Sequence, residues 1–462
     1  MHNLVNVTAI RLEKYSFRLM ITHCAETLTE LSLTFNCSNH NQYKPPPDLI
    51  LRHCPKLESL FYAGPIHCIS QWRPSFPTYF KHDNLRDLEL YVRNSNGTFE
   101  AKNILSATPY IRRLKLGLQS IEKTSPLLFL EILKQCCPKL VTLAIQHKYG
   151  SATIIDPDLL SIEQKKHANS GLENLVFHDP FDKYPNAQIL IRLLMTKYQQ
   201  SLHTMYINCA YMTHDQDDLS GTGPPDSCIL PNLQHLSLID RIRSMPRRRN
   251  NDTLHPLSHI ITHSTTNLRQ LSLTYLEGNI ELGPFASEAN QIRKIHLNHC
   301  NAINSHQLES LFENLGMKKE LQLTHIILQC MQHISSEVLS SIASIAQRLC
   351  LKELVIDHCD NLTLEAIELF LDNMGTNSNC KPTIDKFNAS LIYQGTITQH
   401  LPDKNEIQQV LHKLDARALE WKLSLTSYTD VSVHLKSYDC LRYRERKRKI
   451  ISSSTVKPFS YM

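Results

Sequence analysis

Glycine is scarce in this chain, at 12 of 462 residues, and tryptophan is scarcer, at 2. So little glycine argues against loops that cradle phosphates, and so little tryptophan argues against propeller blades. There is no nucleophile elbow G-x-S-x-G, no G-x-x-x-x-G-K-[ST] and no H-E-x-x-H, so no enzyme class is indicated and neither catalytic residues nor cofactors are expected. No apolar run approaches the roughly 20 residues that cross a bilayer, and no signal peptide opens the chain. The 14 cysteines are therefore expected as reduced thiols, in the cytoplasm or nucleus, rather than as a disulfide framework. A sustained excess of one charge is missing as well. The net charge of +5 is carried by residues 442–449 (RYRERKRK), which leaves 43 basic and 43 acidic residues elsewhere.

A hydrophobic triplet, L-x-x-L-x-L, is abundant. Its clearest copy is Leu351, Leu354, Ile356, with Val355 between the last two, the alternation of a short strand. Cys359 and Leu362 then turn the chain. Ala366, Ile367, Phe370 and Leu371 recur at helical spacing, with Thr363 at the N-cap and Glu365 in the first turn. One strand, one corner and one helix form a coil that buries its apolar sides only when copies stack against it.

Copies run from end to end. The series begins Val7, Ile10, Leu12; then Leu28, Leu31, Leu33; Leu57, Leu60, Tyr62; Leu85, Leu88, Leu90; Ile111, Leu114, Leu116; and Leu140, Leu143, Ile145. It continues Leu172, Leu175, Phe177; Leu202, Met205, Ile207; Leu233, Leu236, Leu238; Leu268, Leu271, Leu273; and Ile292, Ile295, Leu297. A weak copy is read at Lys318, Leu321, Leu323, and degenerate ones at Ile384, Phe387, Ala389 and at Leu423, Leu425. Fifteen units about 29 residues apart predict an α/β solenoid: a right-handed horseshoe with a parallel concave sheet and helices and loops outside. Helices are predicted at residues 127–136, 190–198, 305–315, 335–349 and 406–419, and proline-marked loops at 65–83 and 221–231. Pro55, Pro109, Pro138 and Pro231 each stand two residues before a strand's first anchor, where proline stops a helix and feeds an extended segment. The solenoid is assigned to residues 1–440 and a basic tail to 441–462, with Val431, Val433 and Leu435 expected as a closing strand.

The junctions Cys54-Pro55-Lys56-Leu57 and Cys137-Pro138-Lys139-Leu140, with Leu297-x-x-Cys300-x-x-Ile303 and Ile356-x-x-Cys359-x-x-Leu362, resemble the cysteine-containing leucine-rich repeats. Those repeats are familiar from F-box/leucine-rich-repeat proteins, many of them fungal, which select substrates for SCF-type cullin ubiquitin ligases. The resemblance spans residues 4–426. It implies a receptor in ubiquitin-dependent protein catabolism that binds a substrate on its concave face and meets a Skp-type adaptor and cullin through an N-terminal F-box. No F-box-like L-P-x-E cluster occurs here. The expectation is therefore either an upstream segment beyond Met1, or an end sealed by a partner, or an F-box-less scaffold or inhibitor of the ribonuclease-inhibitor kind.

Five His-Cys dipeptides, at 23–24, 53–54, 67–68, 299–300 and 358–359, raise a metal reading, and Cys24, Cys37 and His40 form the nearest zinc-like grouping. The repeat register explains them better: Cys300 and Cys359 lie five residues past their middle anchors, Cys54 and Cys137 six before theirs, so no metal is expected. The acidic run 214–218 reads as a solvated loop and Arg241–Arg249 as an exposed one. The tail reads equally as a nuclear-localisation or nucleic-acid patch and as a solubilising segment.

Positions flanking the last two anchors of each strand face the concave surface. They carry basic Arg11, Arg113, Lys115, Lys294, Lys386 and Lys422 against acidic Glu13, Glu30, Asp87, Glu89, Glu320, Glu353 and Asp357. Mixed charge does not suit a duplex-binding groove, and aromatic and amide interleaving suits protein. The selected anchors are Phe61, Glu89, Tyr91, Arg113, Lys115, His178, Tyr206, Asn208, His235 and His296.

Overall fold

In the computed structural model the described residues are 6–9, 14–34, 47–63, 80–91, 101–121, 124–146, 171–179, 186–209, 229–240, 260–261, 264, 266–276, 280, 282–332, 334–348, 351–359, 362–374, 384–393, 404–427 and 432–436. They fall into two units, residues 1–250 with 254–268, and residues 251–253 with 269–462.

The first unit holds nine strands: β1 (Asn6–Ala9), β2 (Glu30–Thr34), β3 (Ser59–Ala63), β4 (Asp87–Tyr91), β5 (Arg113–Gly117), β6 (Thr142–Gln146), β7 (Asn174–Asp179), β8 (Thr204–Cys209) and β9 (His235–Asp240). Each pairs in parallel with the next in sequence order. The second unit holds β10 (Gln270–Thr274), β11 (Lys294–Asn298), β12 (His325–Gln329), β13 (Leu351–Cys359), β14 (Ile384–Tyr393) and β15 (Ala418–Ser427), again parallel and sequential. A last strand, β16 (Ser432–Lys436), pairs antiparallel with β15. It contains Val433 and Leu435 of the strand expected from Val431, Val433 and Leu435, and Val431 lies outside the described residues. Strand, corner, helix and parallel strand repeat in sequence order: the fold is an α/β leucine-rich-repeat solenoid.

The register aligns anchors with anchors. Leu60 pairs with Leu88, Leu88 with Leu114 and Leu114 with Leu143. These side chains are at most 2% exposed, as are Phe129, Phe285, Phe312 and Phe370 from the facing helices. Each such side chain contributes about 1.5–3 kcal/mol through removal from water. Helices form where expected at Pro126–Cys136, Ala187–Tyr198, Ser305–Met317 and Ser336–Arg348. Thr363 caps the helix Leu364–Asn373 by accepting from the Ala366 N–H at 3.1 Å, and Asn304 and Gln307 form a reciprocal capping box on Ser305–Met317.

Four expectations are corrected. Val7 pairs with Leu31 and Ala9 with Leu33, so Val7 is the middle anchor of β1 rather than the first. Ile10, Leu12, Arg11 and Glu13 lie outside the described residues. At β12, Ile326 pairs with Ile295 and Leu328 with Leu297, so the triplet is Leu323, Ile326, Leu328. Lys318 instead terminates the preceding helix, donating from Nζ to the Ser287 carbonyl at 2.9 Å and to Asn290 Oδ1 at 2.7 Å. Glu320 lies exposed in the turn that follows, off the sheet. At β15, Phe387 pairs with Trp421 and Ala389 with Leu423, which moves the register by two residues. The last predicted helix ends at Arg417, because Ala418 and Leu419 already belong to β15.

Two local devices carry the chain between helix and strand. Before four strands, the first anchor's N–H closes a turn onto the carbonyl three residues back: Leu57 to Cys54, Ile111 to Thr108, Leu140 to Cys137 and Leu233 to Leu230. The prolines stand at the second position of these turns, which suits their fixed φ. In the coil of β4 a histidine fills the cysteine's place. His82, 3% exposed, accepts the Leu85 N–H on Nδ1 at 3.1 Å and donates from Nε2 to the Cys54 carbonyl at 2.9 Å. Past the strands, Tyr275, His299, Cys330 and His358 share one register position and a left-handed backbone, with φ between 52° and 54°. Three of them donate their N–H to the strand ahead: Tyr275 to Asn298, His299 to Gln329 and Cys330 to Asp357. Non-glycine residues tolerate this conformation at a cost of about 1 kcal/mol each, offset here by an inter-coil hydrogen bond.

Candidate protein-binding face

The strands present one face to the helices and one away from them. On the helix-free face each strand contributes the residue before, between and after its last two anchors, so side chains form rows one strand apart. All ten selected residues stand in these rows: Phe61 on β3, Glu89 and Tyr91 on β4, Arg113 and Lys115 on β5, His178 on β7, Tyr206 and Asn208 on β8, His235 on β9 and His296 on β11. Their surroundings differ.

On β3 to β6 the rows are bound into a network. Arg113 forms a two-pronged ion pair with Asp87, which raises the pKa of the guanidinium, and Lys115 Nζ lies 2.8 Å from Glu89 Oε1. Both pairs are partly exposed to solvent, so each adds at most about 1 kcal/mol, but they hold four side chains in defined positions. Tyr91 packs beside Phe61, with ring centroids 5.8 Å apart at 52°, and its hydroxyl accepts a short hydrogen bond from Gln146 Nε2, two strands away. Burial, then the neighbouring Glu89 carboxylate, pushes the phenol pKa up, so it stays neutral.

The ring reaches Gln146 by lying over Gly117. A Cβ at that glycine would meet Tyr91 Cδ1 at 2.8 Å and Tyr91 Cα at 3.3 Å. Gly117→Ala is expected to force the ring out, break the bond to Gln146 and lower stability by about 1–3 kcal/mol. Urea unfolding checks this. In a Tyr91→Ala background the same substitution should cost almost nothing, and equal cost in both backgrounds would sink the explanation.

On β6 to β9 the face is apolar and covered. Ala144, Val176 and Tyr206 are 2–6% exposed and cluster with Ile239. Tyr206 stacks on His178 at 6.5 Å and 28°. Asn208 is 1% exposed and Thr204 4%, and Asn208 Oδ1 and Thr204 Oγ1 have no hydrogen-bond partner among the described residues. Tyr206 and Asn208 thus have the expected register but are not presented at the surface. Burial depends on what lies over a strand, and the repeat pattern does not carry that information.

In the second unit His296 bridges three strands, with Nε2 3.0 Å from Gln329 Oε1 and Nδ1 3.2 Å from Ser272 Oγ. The amide oxygen can only accept, so Nε2 carries the proton and Nδ1 accepts from the serine. Burial lowers the imidazole pKa, and Lys294 lowers it further, so the ring is neutral near pH 7. A serine and a histidine in contact suggest nucleophilic chemistry, but the third partner is an amide and the surrounding backbone N–H groups serve the sheet ladder. Further along, Lys386 Nζ pairs with Glu353 Oε1 at 2.6 Å. Glu353, Val355 and Asp357 stand in the rows of β13, as the spacing predicts.

The cysteines of the corners are architectural. Cys300 Sγ donates to the Leu273 and Asn298 carbonyls at 3.3 and 3.5 Å, and Cys359 Sγ to those of Leu328 and Asp357 at 3.8 and 3.6 Å. Burial pushes the Cys54 thiol up to about 12 and the Cys300 thiol up to about 11. Among the described residues no group of three His, Cys, Asp or Glu side chains is placed to hold a metal, and no helix is long and apolar enough to cross a membrane. Cys37, His40, Cys68, the runs 214–218 and 241–249 and the basic tail lie outside the described residues.

No known protein family matches the sequence, and neither does any curated protein. Among solved structures, the yeast complex of Rad7 and Elc1 contains a chain similar to this one over 76% of this chain and 77% of that one. The identity is 12% and the TM-score 0.35, values at which the likeness says nothing of function. The assignment to the leucine-rich-repeat fold rests on the strand order and anchor registers themselves.

Proposed function

We propose that this chain is a receptor solenoid that binds a protein along its helix-free sheet face, with no active site or cofactor of its own, and that it selects that protein for an SCF-type cullin ubiquitin ligase in the cytoplasm or nucleus. The ordered network on β3 to β5 supports the binding reading: Phe61, half-buried and backed by the buried Tyr91, flanked by Asp87–Arg113 and Glu89–Lys115. Aromatics and arginine held in fixed geometry bind protein at low entropic cost. The same rows alternate in sign, which disfavours a polynucleotide. The ligase reading is supported by the cysteine corners at Cys54, Cys137, Cys300 and Cys359, in the pattern of F-box/leucine-rich-repeat receptors.

Affinity purification of the tagged protein from its native cells tests both parts. The expected result is a bound protein that is lost on Phe61→Ala together with Tyr91→Ala, and a Skp-type adaptor with its cullin. Absence of adaptor and cullin would remove the ligase role and leave a scaffold or inhibitor of the ribonuclease-inhibitor kind.

A further inference from the structure

The turns leading into β4, β5 and β6 carry a cluster that the sheet face does not use. Tyr110 stands just before Ile111, the first anchor of its coil. Lys139, in the same position one coil later, has its Nζ 4.3 Å from the centre of the Tyr110 ring, and the Arg86 guanidinium of the coil before lies 5.5 Å from it. Arg112 occupies the neighbouring rung to Arg86, since its N–H donates to the Arg86 carbonyl. Two cations, from the coils before and after, therefore flank one aromatic ring, and Arg112 stands on the rung next to Arg86.

The acidic groups nearby do not neutralise them. Asp87 is held by Arg113. Arg86 donates to the carbonyl oxygens of Asp83 and Leu85 rather than to a carboxylate. The ion pairs of the described residues include none to Arg86, Arg112 or Lys139, nor to Asp83 or to Glu58, on the rung before Arg86. Two cations attracted to the same ring repel each other, and Arg112 adds to that repulsion. An anion arriving at this rim would relieve it.

We propose that this basic and aromatic rim holds a short run of acidic side chains belonging to the protein bound on the adjoining sheet face. The proposal rests on the protein-binding reading above and adds the chemistry of the ligand. Its dimensions favour a peptide. Three coils spaced about 4.8 Å apart span about 10 Å, the length of about three extended residues. A polyanion charged along many coils would meet Glu58 on one side and Glu173 on the other, whereas the ends of a short, flexible peptide can leave the surface there.

The test titrates the full chain into fluorescein-labelled hexaglutamate and follows anisotropy. Wild type should bind with an affinity that falls as salt rises, and Arg112→Glu with Lys139→Glu should weaken binding about tenfold or more. Both residues are exposed, and Tyr110→Leu supplies a second variant that keeps the charges while removing the ring. Equal binding by wild type and the charge-reversed variant would overturn the proposal, as would stronger binding of labelled hexathymidylate, which would assign the rim to nucleic acid. The two readings fail separately. If the rim variants leave hexaglutamate binding unchanged while the co-purifying protein is still lost with Phe61 and Tyr91, only the rim proposal fails. If hexaglutamate binds as described and no protein co-purifies, only the reading of the sheet face fails.

Discussion

Phe387→Ala is expected to lower the stability of the second unit by about 3–5 kcal/mol, the range for emptying a buried phenylalanine site. Phe387 is the middle anchor of β14, is 0% exposed, and stacks on Phe370 of the helix Leu364–Asn373 with ring centroids 6.0 Å apart. Removing it leaves Phe370, 1% exposed, beside a void. Coils touch only their neighbours, so the loss should be local. Hydrogen exchange should quicken at the amides of β13 to β16 while those of β10 and β11 keep their protection. A uniform loss of protection throughout the unit would contradict a nearest-neighbour solenoid.

His82→Ala should cost about 2–4 kcal/mol, because it leaves the buried Leu85 N–H without its acceptor, takes one of two donors from the Cys54 carbonyl, which keeps the Leu57 N–H, and empties the buried site of the ring. The ring also makes stability depend on pH. Burial lowers its pKa below the ordinary imidazole value of about 6.5; the bond to Cys54 and the charge of Asp83 oppose that shift, and Arg86 adds to it. The unfolded chain therefore takes up the proton first as pH falls. The stabilisation is complete above about pH 6.5 and declines below it, by up to about 1.4 kcal/mol per pH unit until the folded ring protonates. Urea unfolding between pH 7.5 and 5 should show this slope in the wild type, and His82→Gln should flatten it. An unchanged slope in that variant would place the acid sensitivity elsewhere, with His296 and His325, whose pKa values burial also lowers.

The fold was largely legible because one period explains most of the apolar residues, and the errors occurred where two registers fit equally well. Leu321 and Leu323 stand two apart, as Ile326 and Leu328 do. Only the lysine at the first anchor, Lys318, signalled that the earlier pair was wrong. A two-residue shift at β15 is equally quiet, since it keeps every side chain on its face. For the candidate site, the rows could be read but the contacts between rows could not. Asp87 and Arg113 are 26 residues apart and meet because they occupy the same position in successive coils. Tyr110 and Lys139 are likewise equivalent, and aligning the coils position by position is the signal that would have found the rim. The burial of Tyr206 and Asn208 has no such signal. Nor do the left-handed corners, which Tyr275, His299, Cys330 and His358 occupy without a single glycine.

The reversal of β16 has a consequence for how molecules of this kind meet one another. A stack of parallel coils is open-ended: an exposed parallel edge accepts the next molecule as readily as the next coil, and repeated addition gives a filament. Parallel ladders place their hydrogen bonds at even, slanted intervals, whereas antiparallel ones alternate narrow and wide pairs. Because β16 joins β15 in the antiparallel sense, a further strand running with the coils would meet β16 antiparallel as well, in a ladder spaced differently from the one that joins coil to coil. Among the described strands, the edge beyond β15 is therefore not a copy of the edges inside the stack, and continuing it as one more coil would make a mixed sheet.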